Sequence, residues 1–245
     1  MLRFAEDSLL EGLPGARLRA MHEAALGLEE MARQLSSARE TVISRVLGEA
    51  ERFEAWSHYP DGGVHNPETH CQFFYHRHDA ANAEHGHFHT FVRAGAMPKD
   101  LRPLDLEGSA EHPRDGRALA HIAAVSMDVD GRPTHLFTTN RWVTDETLFP
   151  AADVIGLLDR LSPGADGPHG LVNRWLGSLL ALFRPQVEML LHKRDAVLRH
   201  HIETHPGENV AAHRGLEITS IARIDVGAQI AALRRALEHQ LPPAS

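Results

Sequence analysis

Cysteine occurs once, at Cys71, in a chain of 245 residues. A lone cysteine excludes an intramolecular disulfide framework and any zinc site built from cysteines alone, and it suits a reducing compartment. Basic charge is also scarce. Lys and Arg total 25 against 33 Asp and Glu, a formal net charge of −8. A general nucleic-acid binder needs a basic surface to displace counterions from phosphates, so nucleic acid is not an expected partner. Long hydrophobic runs are missing too. The most apolar helical stretch, Leu171–Phe183, contains Asn173 and Arg174, and a bilayer span takes roughly 20 apolar residues. Residues Met1–Leu13 place Glu6, Asp7 and Glu11 among leucines, unlike the basic start and unbroken apolar core of a secretory signal. The expectation is a cytoplasmic protein without membrane contact. There is also no glycine-rich phosphate loop, dinucleotide fingerprint or Cys-x-x-Cys-His haem attachment.

Histidine is abundant instead, at 19 residues. Placing those residues requires a coarse map of the chain. Ala16–Phe53 shows helical periodicity, with Leu18, Met21, Ala25, Leu28, Met31 and Leu35 on one face and a break at Ser36-Ser37. Tyr59–Thr69 is dense in turn residues and closes this helical region. Cys71–His78 and His85–Arg93 read as an antiparallel hairpin, and Ala118–Asp128 with Thr134–Val143 as a second one turning at Asp130-Gly131. Between them, Gly95–Arg117 is long and proline-bearing, which suggests a lid over the sheet. Helices are expected at Ala151–Leu161, at Pro168–His205 with a kink at Pro185, and at Ala228–His239, with a further strand at Glu217–Val226. This order predicts an α+β fold with an antiparallel sheet of four or five strands flanked by N- and C-terminal helices. One domain is expected, with a helical region at 1–57, a histidine-rich sheet at 58–145 and a helical region with one strand at 146–245.

Eight of the 19 histidines lie between His58 and His89. Residues two apart on a strand share a face, so His76 and His78 point with Phe74, while His85, His87 and His89 share a face of the next strand. Symmetric closure of the hairpin pairs His78 with His85, His76 with His87, and Phe74 with His89. Opposed residues share a face, so five imidazoles would project from one patch, whereas a one-residue slip would divide them. Three neutral imidazoles that leave a position for water or substrate make a catalytic transition-metal site, and iron, zinc or copper accepts such ligands. His76, His87 and His89 are central to this patch, with His78 and His85 beside the loop. The ordinary alternatives are a solvated, partly charged histidine face and a hydrogen-bonded polar stripe under a loop.

Neighbouring residues extend the constellation. Glu84 is the nearest acid in sequence. The second hairpin would oppose His121 to Asn140 alongside Thr138, making His121 a candidate fourth ligand and Asn140 a substrate hydrogen-bonder, although each alone reads as a satisfied core polar group. Arg141 is a candidate for a substrate carboxylate or phosphate, or for an exposed salt bridge. Cys71 falls on the face opposite the histidines and reads as core. On the late helix, His201 and His205 lie four apart, but Glu203 is misplaced for a helical metalloprotease motif and Pro206 marks the helix end.

The run His85-Gly86-His87-Phe88-His89-Thr90-Phe91 resembles in spacing the histidine-triad nucleotide hydrolases and transferases. That resemblance implies His87 as a nucleophile toward phosphorus, without a required metal. It covers seven residues, Gly86 and Thr90 stand where the family has bulky apolar residues, and His76 and His78 play no part in it. Three functions follow from the sequence. The first is a metal-dependent enzyme, oxidative or hydrolytic, acting on a small molecule. The second is phosphoester chemistry through His87, and the third is noncatalytic metal or ligand binding.

Overall fold

A computed structural model describes residues 1–2, 6–50, 52–78, 84–106, 117–161, 164 and 166–240. Three helices come first: α1 (Glu6–Leu10), α2 (Gly15–Ala38) and α3 (Val42–Leu47). The break after α2 lies two residues beyond Ser36-Ser37, with Arg39 in the left-handed region. Thr41 then caps α3, its hydroxyl accepting from the Ser44 N–H at 3.1 Å and satisfying one of the free donors of a helix start.

Six strands follow, β1 (Tyr59–His65), β2 (Cys71–His76), β3 (Gly86–Arg93), β4 (Leu119–Met127), β5 (Pro133–Thr139) and β6 (Ile218–Arg223). They form one antiparallel sheet in chain order. The fold is α+β as expected, with six strands rather than four or five. The additional strand is β1, within the stretch expected to be only a turn. Its register shifts between Tyr59 and Val64, around Gly62 and Gly63 at positive φ, so its turn-forming residues occupy an irregularity inside a paired strand. Gly63 has a second constraint, because a Cβ there would lie 2.9 Å from the Phe73 carbonyl oxygen.

The second hairpin is shorter than expected. Beyond Thr139 the chain leaves the sheet, and Asn140 caps α4 (Arg141–Thr144) by accepting from the Arg141 N–H. Next come α5 (Ala151–Leu157), α6 (Gly170–Leu182) and α7 (Arg184–Thr204), while α8 (Val226–Gln240) follows β6. Pro185 sits in the first turn of α7, where a missing N–H is tolerated, so the expected kink is a junction between two helices at Phe183. Of the expected lid, 95–106 runs from a 3-10 turn through a second turn at 99–100 into irregular chain, and 107–116 lies outside the described residues.

Alternation along the strands separates two faces. Cys71, Phe73, Tyr75 and Phe88 join the main apolar cluster with α2, α6 and α7, and Trp175 of α6 meets Phe88 at 5.9 Å between ring centroids. Burying each such side chain contributes about 1.5–3 kcal/mol. Helices therefore cover this face, and the histidines of β2 and β3 project from the other. Among the described residues no helix is long and apolar enough to cross a membrane.

Candidate metal centre

The β2–β3 register pairs Phe74 with His89, Tyr75 with Phe88, and His76 with His87. This is the symmetric closure expected from the loop, and it brings three imidazoles together. His76 and His87 share a hydrogen bond between their Nε2 atoms at 2.7 Å. Their ring centroids lie 5.1 and 4.9 Å from that of His89. One nitrogen from each of His76, His87 and His89 lies within 4.8 Å of the other two. The three residues are only 7%, 4% and 1% exposed, so the patch is not a solvated face.

Burial determines the charge of His76 and His89. It pushes His76 down to about 2, helped by repulsion from His87, His78 and His58. His89 is held well below the ordinary range by burial and then by His121, His87, His76 and His78. Moving a cation out of water is unfavourable, and each neighbouring imidazole makes protonation worse. His76 and His89 are therefore neutral near pH 7, the state in which imidazole ligates metals.

Two of the triad's outer nitrogens face other side chains. His87 Nδ1 lies 3.3 Å from Glu84 Oε1, although neither atom makes a well-aligned hydrogen bond. Burial raises the Glu84 carboxyl, but the close approach of His87, with Ser126 and His78, outweighs it and leaves the pKa lowered. His89 Nδ1 shares a hydrogen bond with His121 Nε2 at 3.0 Å, while the buried His89 Nε2 has no hydrogen-bond partner. Beyond His121 lies Glu146, 1% exposed, accepting from the His121 N–H at 3.3 Å with a carboxylate oxygen 3.8 Å from His121 Nδ1. Burial raises Glu146 to about 7 against the lowering influence of Arg194 and nearby donors. Metal-binding histidines are commonly oriented this way, through the ring nitrogen that does not bind the ion.

A β-bulge brings His121 into this chain of contacts. Thr90 pairs with Ala123 but Phe91 pairs with His121, so Ile122 is the extra residue. Without it His121 would face the helical core. The Thr90 hydroxyl donates to the Ala123 carbonyl at 2.7 Å beside the irregularity. The expected opposition of His121 to Asn140 is not formed. Asn140 lies off the sheet, its amide donating to the Val210 carbonyl at 2.8 Å, and Thr138 bonds to Ser220 on the core side. Arg141 opens α4, where its charge helps lower Glu146.

The histidines beside the loop diverge. His78 remains near the triad, its ring 5.1 Å from those of His76 and His87 and stacked on Trp56 at 4.4 Å. His85 precedes β3 and turns to the opposite side. There its Nδ1 bonds the Tyr75 hydroxyl at 2.7 Å and its ring stacks on Phe53. The expected five-imidazole patch is thus a triad with His78 beside it. Cys71 is buried on the core face, as expected.

A cavity of about 770 Å³ adjoins the triad, with His87, His89, Glu84, Ser126, His135 and Phe137 among its lining. Phe137 packs edge-on against His87 and His89, at 5.3 and 6.0 Å between centroids. Sequence reasoning missed Glu146, His135 and Phe137. For His135 and Phe137 the β4–β5 alternation contained the signal, because they pair with Ser126 and Ala124 on the histidine face. Glu146 lies in an irregular connection without periodicity, and its role depends on burial.

A family model described as "Domain of unknown function (DUF6969)" matches residues 22–224. The chain belongs to that family, and the match spans the triad, Glu84 and Glu146. No curated protein and no solved structure gives a match.

Proposed function

We propose that this member of the DUF6969 family is a metal-dependent enzyme. A mononuclear centre would hold one divalent transition-metal ion on His76, His87 and His89, and the substrate is a small molecule admitted through the adjoining cavity. The observation that carries this reading is the convergence of three buried imidazole nitrogens within 4.8 Å. Two further features fit an ion. His89 Nε2 is buried without a partner, which is costly unless something engages it. The His76–His87 contact joins two nitrogens that an ion would otherwise take as ligands.

When bound, such an ion supplies Lewis-acid chemistry toward a water or substrate oxygen, or redox chemistry if it is iron or copper. Zinc would make the protein a hydrolase, and iron or copper an oxygen-dependent enzyme. The chain's own groups have definable tasks. Glu84 faces the cavity and can orient His87 or accept a proton from a molecule beside it. His121 and Glu146 hold the His89 ring through its Nδ1. Phe137 limits ring movement and excludes water from one side.

The cavity favours catalysis over metal storage, because a storage site needs no adjoining space for a substrate. Phosphoester chemistry on His87 is less well supported, since His87 Nε2 is engaged by His76 rather than free to attack. Metal analysis of tag-free protein tests the reading. One ion is expected at this centre, so His87→Ala should hold about one ion per chain fewer than wild type, with activity abolished by chelator. Metal-free protein that remains active would overturn it.

A further inference from the structure

A second group of ligating side chains lies outside this centre, where α7 runs into the connection to β6. His201 is in the last turn of α7, Glu208 follows it, and His213 comes just after a 3-10 turn at Val210–Ala212. Glu208 Oε2 sits 3.6 Å from His201 Nε2 and 3.7 Å from His213 Nδ1, so one carboxylate oxygen bridges two rings. One ligand atom from each residue lies within 4.8 Å of the others. His201 Nε2 is shielded from solvent and has no hydrogen-bond partner, although its residue lies at the surface. The His201 and His213 rings approach to 4.6 Å between centroids. His205, the helical neighbour of His201, stacks on it at 4.3 Å and commits its Nδ1 to the Thr204 hydroxyl at 2.9 Å.

We infer that His201, Glu208 and His213 form a second transition-metal site, independent of the sheet triad and suited to zinc. Two imidazoles and a carboxylate are a recognised zinc donor set, and the open side leaves room for water as a further ligand. The distances suit closure on an ion, because each 3.6–3.7 Å contact is too long for a hydrogen bond and close to the separation of two donors on one metal. The site's position gives it a consequence. The segment beyond His213 supplies Gly215, Glu217 and Ile218 to the wall of the triad cavity. It is fastened to α4 by the Trp142 Nε1–H donating to the Leu216 carbonyl at 3.0 Å and by Arg214 over the Trp142 ring. An ion joining the end of α7 to His213 would anchor that wall at its N-terminal end, with Gly215 giving His213 room, since a Cβ there would lie 3.0 Å from Nε2. The loop closed is short, so the ion acts as a clip on local structure.

The test uses full-length, tag-free, chelator-stripped protein titrated with zinc alone. Bound zinc is counted and hydrogen exchange is followed by peptide. Wild type is expected to take one equivalent more than His213→Ala and Glu208→Gln. Zinc should slow exchange across residues 201–217 in wild type and in His87→Ala, but not in His213→Ala. Glu208→Gln retains shape without the charge, and circular dichroism verifies that each variant is folded. Equal zinc uptake by wild type, His213→Ala and Glu208→Gln would overturn the inference, leaving Glu208 as a charge partner for the rings. Unchanged exchange across 201–217 would overturn it as well. Failure of the triad reading is separate, because His87→Ala would then keep its zinc while His213→Ala still lost one equivalent.

Discussion

Glu146 is a buried carboxyl whose ionisation should be visible in the pH dependence of stability. It is 1% exposed, and burial raises its pKa from 4.5 to about 7. The folded protein therefore holds this proton where the unfolded chain has released it, so stability falls as pH rises between those values and levels off above the folded one. At 1.36 kcal/mol per pKa unit, the difference amounts to about 3 kcal/mol. Glu146→Gln removes the ionisation but retains an acceptor for the His121 N–H. Relative to wild type, metal-free Glu146→Gln should gain stability progressively from about pH 4.5 to 7, by about 3 kcal/mol, with the gap constant at higher pH. The histidines act in the opposite direction. His76 and His121 are lowered from 6.5 to about 2 and about 3, so their contribution is present above pH 6.5 and lost as acid protonates the unfolded chain. Both proteins carry that loss, and it cancels in the comparison. Urea denaturation of metal-free protein across this range measures the gap. A gap that does not change with pH would refute the reasoning, because it would mean that Glu146 ionises equally easily in both states.

Other perturbations separate the roles of neighbouring residues. Glu84→Gln should weaken metal binding about 10- to 100-fold, the usual effect of losing a partner to a ligand's outer nitrogen, measured by competition with a chromophoric chelator. His85→Ala should retain wild-type metal affinity, because its ring is on the other face with Tyr75 and Phe53. Its effect should appear in denaturation as roughly 0.5–1.5 kcal/mol for the lost hydrogen bond, plus the lost stacking. Gly86→Ala should destabilise the hairpin by about 1–3 kcal/mol and weaken metal binding with it. Its Cβ would lie 2.6 Å from the His76 carbonyl oxygen and 2.8 Å from the Tyr75 hydroxyl. Wild-type stability in that variant would show that the strands can separate locally without loss.

The triad was legible in the sequence because everything that forms it is local. Alternation assigns a face to each residue, and closure of one short loop sets the register, so His76 opposite His87 with His89 alongside follows from spacing alone. The same reasoning failed one residue from the strand. His85 leaves the alternation before β3 begins, and its ring follows Tyr75 and Phe53. β1 was missed because Gly62 and Gly63 in a bulge resemble the glycines of a turn. Asn140 was misplaced because a strand end and a helix cap are both compatible with a polar residue after Thr138-Thr139.

By itself the sequence determined the α+β order, the separation of an aromatic core face from a histidine face, and which three of 19 histidines are central. These depend on periodicity and on contacts across one short connection. Tertiary structure alone decided which residues support the triad and how the remaining histidines group. The extra residue at Ile122 turns His121 toward His89, packing from distant segments encloses Glu146, and the return of the chain after α7 sets His213 beside His201. A bulge, a burial and a loop closure are all settled by the whole molecule's packing, so no local pattern carries them.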